Sequence, residues 1–282
     1  MSRARWAARV AALMLAAVAA VPTVSAAQQA RARRADISTD EVIRRFAASE
    51  SRLREARNQF AFKQDVTIQT LMGPEAVTGT YRRVSEILFT DDGQRQERIT
   101  FFPQSTLQSL TVTTEDLRDL GVIQPFALTT EDLPKYNVRF LGRERLDELD
   151  TYVFDVAPRD PKGMAKANER YLEGRVWVED QDYMIVKVMG KAGPEIGDSR
   201  YPRFETYREH IDGKYWFPTY TYADDVLSFP NGDIRMRMVV KYADYRQFTG
   251  NITIVEDGPM VDPDENPTEE PPPVEAKPPR RP

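Results

Sequence analysis

Large apolar and polar residues alternate along most of the chain between residues 60 and 245. In the first such segment, Phe60, Phe62, Val66 and Ile68 fall on one face, and mostly small or polar side chains fall on the other. A period of two residues is typical of a half-buried antiparallel strand. Turn signals separate successive segments of this kind, so the sequence predicts a meandering sheet, a barrel or a sandwich.

One helix and one insertion interrupt the alternation. Ser38 and Glu41 have the spacing of a capping box, and apolar residues recur at helical spacing from there to about Arg57. The stretch 105–135 lacks alternation and contains short helical starts, one of them at Thr114. We predict an amphipathic N-terminal helix, and we expect the apolar insertion to form a lid over the sheet.

The N terminus has the features of a secretory signal. Three arginines precede an apolar run over residues 10–21, and small residues end at Ala26. The run is shorter than the roughly 20 residues that span a bilayer. We therefore expect a cleaved signal peptide over 1–26, a linker over 27–37 and export to the periplasm; the alternative is an uncleaved N-terminal anchor.

Composition and charge exclude several classes of function. The chain has no cysteine, so it forms no disulfide and has no cysteine to carry a lipid anchor. Its net charge of −5 becomes −8 when the three arginines of the signal are removed, which argues against nucleic acid as a partner. The remaining length fits one large all-β domain over 38–250. We expect the Pro- and acid-rich end, 251–282, to be disordered.

No catalytic or metal-binding pattern accompanies the strands. His210 is the single imidazole, and it lies beside a hairpin turn, where a Ser-His-Asp or zinc site lacks its other residues. Adjacent acids such as Asp224 and Asp225 point to opposite faces of a strand and do not converge on a substrate. We expect no enzymatic activity, no metal and no cofactor; a hydrolase built on scattered acids is the catalytic alternative.

Two hairpins carry a family resemblance. The first is the run Gly174-Arg175-Val176-Trp177-Val178-Glu179-Asp180 with its return strand Ile185-Val186-Lys187-Val188. The second is the run Asp212-Gly213-Lys214-Tyr215-Trp216-Phe217-Pro218. Both resemble hairpins of the LolA-type periplasmic lipoprotein carriers, in particular the outer membrane lipoprotein-sorting branch. The resemblance covers roughly Ser38 to Phe248.

The resemblance implies a mainly β fold. It is an unclosed antiparallel β-barrel, or half-barrel, wrapped over an N-terminal helix and a short helical insertion that acts as a lid. It also implies an apolar cavity for acyl chains and a buried arginine that joins the barrel to the lid, for which Arg82 and Arg83 are candidates. The acidic, Pro-rich end is not part of this family pattern.

The sequence and the resemblance together predict a periplasmic carrier that shields lipid acyl chains or lipoproteins and is a monomer. Shielding is needed because each CH₂ removed from water is worth about 0.8 kcal/mol. The alternative is a non-catalytic envelope-stress or partner-binding module on the same fold, which docks an envelope protein. The candidate cavity residues alternate along their strands and are Phe60, Phe62, Val66, Ile68, Tyr152, Phe154, Val176, Met184, Val186, Met236 and Met238.

Overall fold

The computed structural model describes residues 37–73, 75–90, 93–113, 115–117 and 126–248. The predicted signal peptide, the predicted tail and all but one residue of the predicted linker lie outside the described residues. So does most of the helix predicted at Thr114. Among the residues that the structure describes, no helix combines the length and the apolar character that crossing a membrane requires.

The described chain forms two helices with complete bounds, a helical segment at 115–117, one 3₁₀ turn and ten strands. The helices are α1 (Thr39–Arg57) and α2 (Pro161–Lys166), and the 3₁₀ turn is Leu133–Lys135. The strands are β1 (Phe60–Met72), β2 (Ala76–Phe89), β3 (Arg95–Phe101), β4 (Tyr136–Leu146), β5 (Leu149–Pro158), β6 (Tyr171–Glu179), β7 (Ile185–Gly193), β8 (Arg203–Ile211), β9 (Tyr215–Phe229) and β10 (Gly232–Gln247).

All ten strands belong to one antiparallel sheet with the order β3-β2-β1-β10-β9-β8-β7-β6-β5-β4. Nearly every neighbouring pair is a hairpin of consecutive strands. The exception is the pairing of β1 with β10, in which Val66 lies opposite Val240. Strands β3 and β4 are the two edges, so the sheet is not closed. The prediction of a mainly β, unclosed half-barrel is confirmed.

Helix α1 begins where the capping box predicts. The Ser38 side chain accepts a hydrogen bond from the Glu41 amide at 3.2 Å. The apolar stripe of the helix packs against the sheet, where the rings of Phe46 and Phe154 lie 5.4 Å apart and Leu53 joins a cluster with Phe217. We call the face of the sheet that α1 covers the inner face.

Candidate functional site

A pocket of about 690 Å³ lies between the inner face of the sheet and residues 109–113, 115 and 116 of the insertion. Its floor contains Ile68 of β1 with Met236 and Met238 of β10, all of them buried. Ile68 lies directly opposite Met238 in the strand register, so their side chains share one face. This volume falls within the range of about 300–1,000 Å³ that is usual for small-molecule sites.

Further apolar side chains complete the walls of the pocket. Phe204 of β8 and Leu227 of β9 extend the floor, while Leu110 and Val112 approach from the insertion. Apolar side chains therefore line the pocket on the side of the sheet, and on the side of the insertion they alternate with polar ones. Methionine side chains adapt to ligands of variable shape, which suits a flexible hydrocarbon chain.

The insertion is held against strand β2 next to the pocket. The Thr106 amide donates to the Thr80 carbonyl at 2.9 Å, and the Thr80 amide donates to the Thr106 hydroxyl at 2.9 Å. A Cβ atom at Gly79 would lie 2.5 Å from the Thr106 carbonyl oxygen. Only glycine therefore allows the insertion to approach β2 this closely.

The other end of the insertion docks on helix α1. Arg54 of the helix forms ion pairs with Glu131 at 2.8 Å and with Asp132 at 3.1 Å. The Thr130 amide donates to the Ser51 hydroxyl at 3.1 Å. Both described ends of the insertion are thus bound to the body of the domain, one to β2 and the other to α1.

A fully buried ion pair ties the helix, the sheet and the insertion together. Arg208 of β8 donates through one nitrogen to both carboxylate oxygens of Glu50 of α1 at 3.0 Å. The Ile185 amide donates to the same carboxylate at 3.0 Å, and the other Arg208 nitrogen donates to the Phe126 carbonyl. Burial raises the pKa of Glu50, while Arg208 and the Ile185 amide oppose that rise.

The buried arginine therefore differs from both candidates that the resemblance suggested. Arg82 pairs with Asp65 and Arg83 pairs with Glu97, and neither pair involves the insertion. Arg208 contacts the insertion because its position has the same parity as Phe204, which faces the pocket. The alternation that places Phe204 and Arg208 on one face of β8 could have identified Arg208 from the sequence. The charged residues around Arg208 are, however, typical of an exposed turn, and Arg208 was therefore not predicted.

The eleven predicted cavity residues are divided among several environments. Ile68, Met236 and Met238 line the pocket. Phe60 and Met184 join the cluster beneath helix α1. Contact of any of the eleven residues with a ligand stays a prediction.

The remaining predicted residues pack within the sheet or against α1. Phe154 contacts the helix through Phe46, as described above, and Val176 lies opposite Phe154 in the register. Tyr152 stacks on Tyr183 with ring centroids 6.4 Å apart. Phe62 stacks on Tyr245 with ring centroids 5.1 Å apart, and Val66 is buried opposite Val240.

Val186 belongs to a different cluster, with Val153 and Trp177. The register of β6 and β7 shifts between Trp177 and Val178, which changes the alternation beside this position. Val186 consequently lies in a different cluster from Met184, although simple alternation groups the two.

The residues considered for catalysis have structural partners. The Asp224 carboxylate accepts from Arg235 at 2.9 Å, and Asp225 accepts from the Arg203 amide at 2.8 Å. The His210 ring stacks on Trp216 with centroids 5.1 Å apart. Within the described part of the chain, no three or more His, Cys, Asp or Glu side chains are grouped so that they could hold a metal ion.

Comparisons with known proteins were made by sequence and by structure. No protein-family model matches this chain, and no curated protein matches its sequence. Among solved structures, an outer membrane lipoprotein-sorting protein domain from Vibrio parahaemolyticus is similar, with 16% identity and a TM-score of 0.36 over 71% of this chain and 92% of that chain. A LolA superfamily protein from Nitrosomonas europaea shows 17% identity and a TM-score of 0.31, over 72% and 94% of the two chains.

A third similar structure is the MucA/MucB complex of Pseudomonas aeruginosa, with 13% identity and a TM-score of 0.21 over 72% of this chain and 98% of that chain. The solved structures to which this chain is similar thus include LolA superfamily and lipoprotein-sorting proteins, the group named by the sequence resemblance.

Proposed function

We propose that this protein is a periplasmic carrier or binding protein that shields the acyl chains of lipids or lipoproteins in the pocket beneath the insertion. The observation that carries this proposal is the pocket of about 690 Å³ with apolar side chains on both the sheet and the insertion. Hydrocarbon that leaves a membrane needs such an environment, because exposing each CH₂ to water costs about 0.8 kcal/mol.

The role that we propose is non-catalytic. A carrier has to bind its cargo and release it again, and it needs no reacting groups for this. The side chains that β1 and β10 contribute to the floor of this pocket are all apolar. The insertion bears on the entry of cargo, because residues 109–113, 115 and 116 line the pocket on the side opposite the sheet.

The proposal is tested by purifying the protein from an envelope fraction and identifying bound lipid or lipopeptide by native mass spectrometry and solvent extraction. Ala192→Phe places a ring in the pocket, because Ala192 lines it. We expect this variant to retain less lipid than the wild type. Val226→Phe is the matched control, since Val226 is 46% exposed and does not line the pocket. Wild-type protein that is consistently free of lipid would count against the proposal.

A second candidate function is supported by the edge strand β4. Phe140 and Leu141 of this strand are each 39% exposed, and β4 has a strand neighbour on one side only. An open edge with exposed apolar side chains can bind an added strand of a partner protein. Deleting residues 251–282 while measuring both activities separates the two functions. Loss of envelope-protein capture with lipid binding intact would favour the partner-binding module.

A further inference from the structure

The rim of the pocket carries a positive charge that forms no ion pair with any described residue. The Arg200 side chain donates to the Ser228 carbonyl at 2.9 Å and to the Gly197 and Ser199 carbonyls at 2.8 Å each. Its guanidinium also lies 5.7 Å from the centre of the Phe229 ring. Among the described residues no carboxylate forms an ion pair with Arg200. Backbone carbonyls therefore fix this cation at the pocket and leave its second terminal nitrogen available to a ligand.

One acidic side chain close to Arg200 in the sequence, Glu195, is already engaged elsewhere. Glu195 forms an ion pair with Lys191 at 2.7 Å and accepts from the Tyr201 amide at 3.1 Å. Glu195 forms no ion pair with Arg200. Burial raises the pKa of Glu195, but Lys191, the Tyr201 amide and, to a lesser extent, the charge of Arg200 lower it. The guanidinium remains a site for an anionic group of a ligand, which its planar fork of donors suits.

The same rim also carries acids without basic partners. Asp198 lines the pocket and is exposed, and within the described ranges it forms no ion pair. The Asp116 carboxylate accepts from the amide and the hydroxyl of Thr113, at 2.8 and 2.7 Å, and has no cation beside it in the described structure. Glu115 differs, because Arg170 binds its carboxylate.

A pocket mouth with one cation and two carboxylates restricts the head group of a ligand. A purely anionic head group would bind Arg200 but would be repelled by Asp198 and Asp116, and a purely cationic one would be repelled by Arg200. We propose that this pocket takes amphiphiles whose head group carries both a phosphate and an ammonium, as phosphoethanolamine does. In this assignment Arg200 binds the phosphate and Asp198 binds the ammonium. The inference rests on the proposed function, because the acyl chain occupies the apolar floor.

Three amphiphiles with the same palmitoyl chain test the assignment on the wild-type protein. They are lysophosphatidylethanolamine, lysophosphatidylglycerol and monopalmitoylglycerol, each measured by titration calorimetry below its micelle concentration. We expect lysophosphatidylethanolamine to bind about tenfold more tightly than lysophosphatidylglycerol, as one extra charge-assisted hydrogen bond provides, and more tightly still than monopalmitoylglycerol, which makes neither charged contact. Equal affinity for all three would overturn the head-group inference but leave the proposed function standing. If none of the three binds, the proposed function fails as well.

Charge-neutralising variants assign the two roles. Arg200→Gln should weaken both phospholipids about tenfold and leave monopalmitoylglycerol unchanged. Asp198→Asn should weaken lysophosphatidylethanolamine and strengthen lysophosphatidylglycerol, because it removes the repulsion. Arg203→Gln is the matched control, since Arg203 is exposed and does not line the pocket. Tighter binding of lysophosphatidylglycerol by the wild type, or the same response from Arg203→Gln, would overturn the inference.

Discussion

Replacing Arg208 by methionine should strongly destabilise the fold. The substitution keeps a long apolar side chain but leaves the Glu50 carboxylate buried without its cation. Removing one partner of a buried ion pair costs about 3–5 kcal/mol. The Phe126 carbonyl also loses its donor, which adds about 1–3 kcal/mol if water does not replace it. We therefore expect the free energy of unfolding, measured by urea denaturation near neutral pH, to fall by at least about 3 kcal/mol.

The dependence of this loss on pH follows from Glu50. Because burial raises the pKa of Glu50 above 4.5, the folded state holds this proton more tightly than the unfolded state does. The contribution of the group to stability is therefore present at low pH and is lost as the pH rises through the raised pKa. Without Arg208 that pKa rises further, so the cost of Arg208→Met should be smaller at about pH 5 than at about pH 8.

Two further variants complete this experiment. Glu50→Gln combined with Arg208→Met removes the isolated charge while keeping an acceptor for the Ile185 amide, so it should be more stable than Arg208→Met alone. Arg98→Met is the control, because the Arg98 side chain is 71% exposed and surface pairs contribute about 0–1 kcal/mol. A loss below about 1 kcal/mol for Arg208→Met, or a loss that does not change with pH, would refute the reasoning.

Three other predictions concern packing and buried hydroxyl groups. Gly79→Ala should lower the free energy of unfolding by about 1–3 kcal/mol and speed proteolysis within residues 102–113, since its Cβ would meet the Thr106 carbonyl at 2.5 Å; unchanged proteolysis would contradict this. Thr206→Val should lower the free energy of unfolding by about 1 kcal/mol, because it removes the 2.8 Å partner of the buried Thr221 hydroxyl and leaves that hydroxyl only its 3.4 Å contact with the Tyr242 hydroxyl; no loss in urea denaturation would contradict this. Burial raises the pKa of Tyr242 from 10 to about 12, so the contribution of this group to the free energy of unfolding should be complete below pH 10 and should be lost as the pH rises toward 12. Tyr242→Phe should reduce this alkaline loss of stability in a circular dichroism titration.

The strands were predictable because alternation and turn residues agree along the chain. Strands β4 and β6 of the structure, Tyr136–Leu146 and Tyr171–Glu179, lie within the alternating region 60–245 from which the sheet is predicted. The turn before β9 forms at Asp212-Gly213, where both residues adopt positive φ angles of 53° and 66°. Period-two patterning and tight-turn chemistry are local properties, so one sequence reports them well.

The site was less predictable because it depends on contacts that are distant in the sequence. Ile68, Met236 and Met238 were found by alternation, but Phe204 was not chosen although it lines the same pocket. The register shift beside Val186 is invisible in a simple period of two. The approach of the insertion to the sheet depends on a single glycine, which no periodicity in the insertion itself reveals.

The pairing of β1 with β10 has a consequence for the order of folding. A ribosome releases β1 early, yet its neighbour on one side, β10, is the last strand of the sheet to be made. The hairpins from β4 to β9 can form as these strands are made. During this time one edge of β1 lacks the backbone hydrogen bonds that β10 provides in the folded sheet. Closing this long loop is entropically slow, and an unpaired edge invites aggregation. A nascent chain of this design has most to gain from a chaperone during the interval between its first strand and its last.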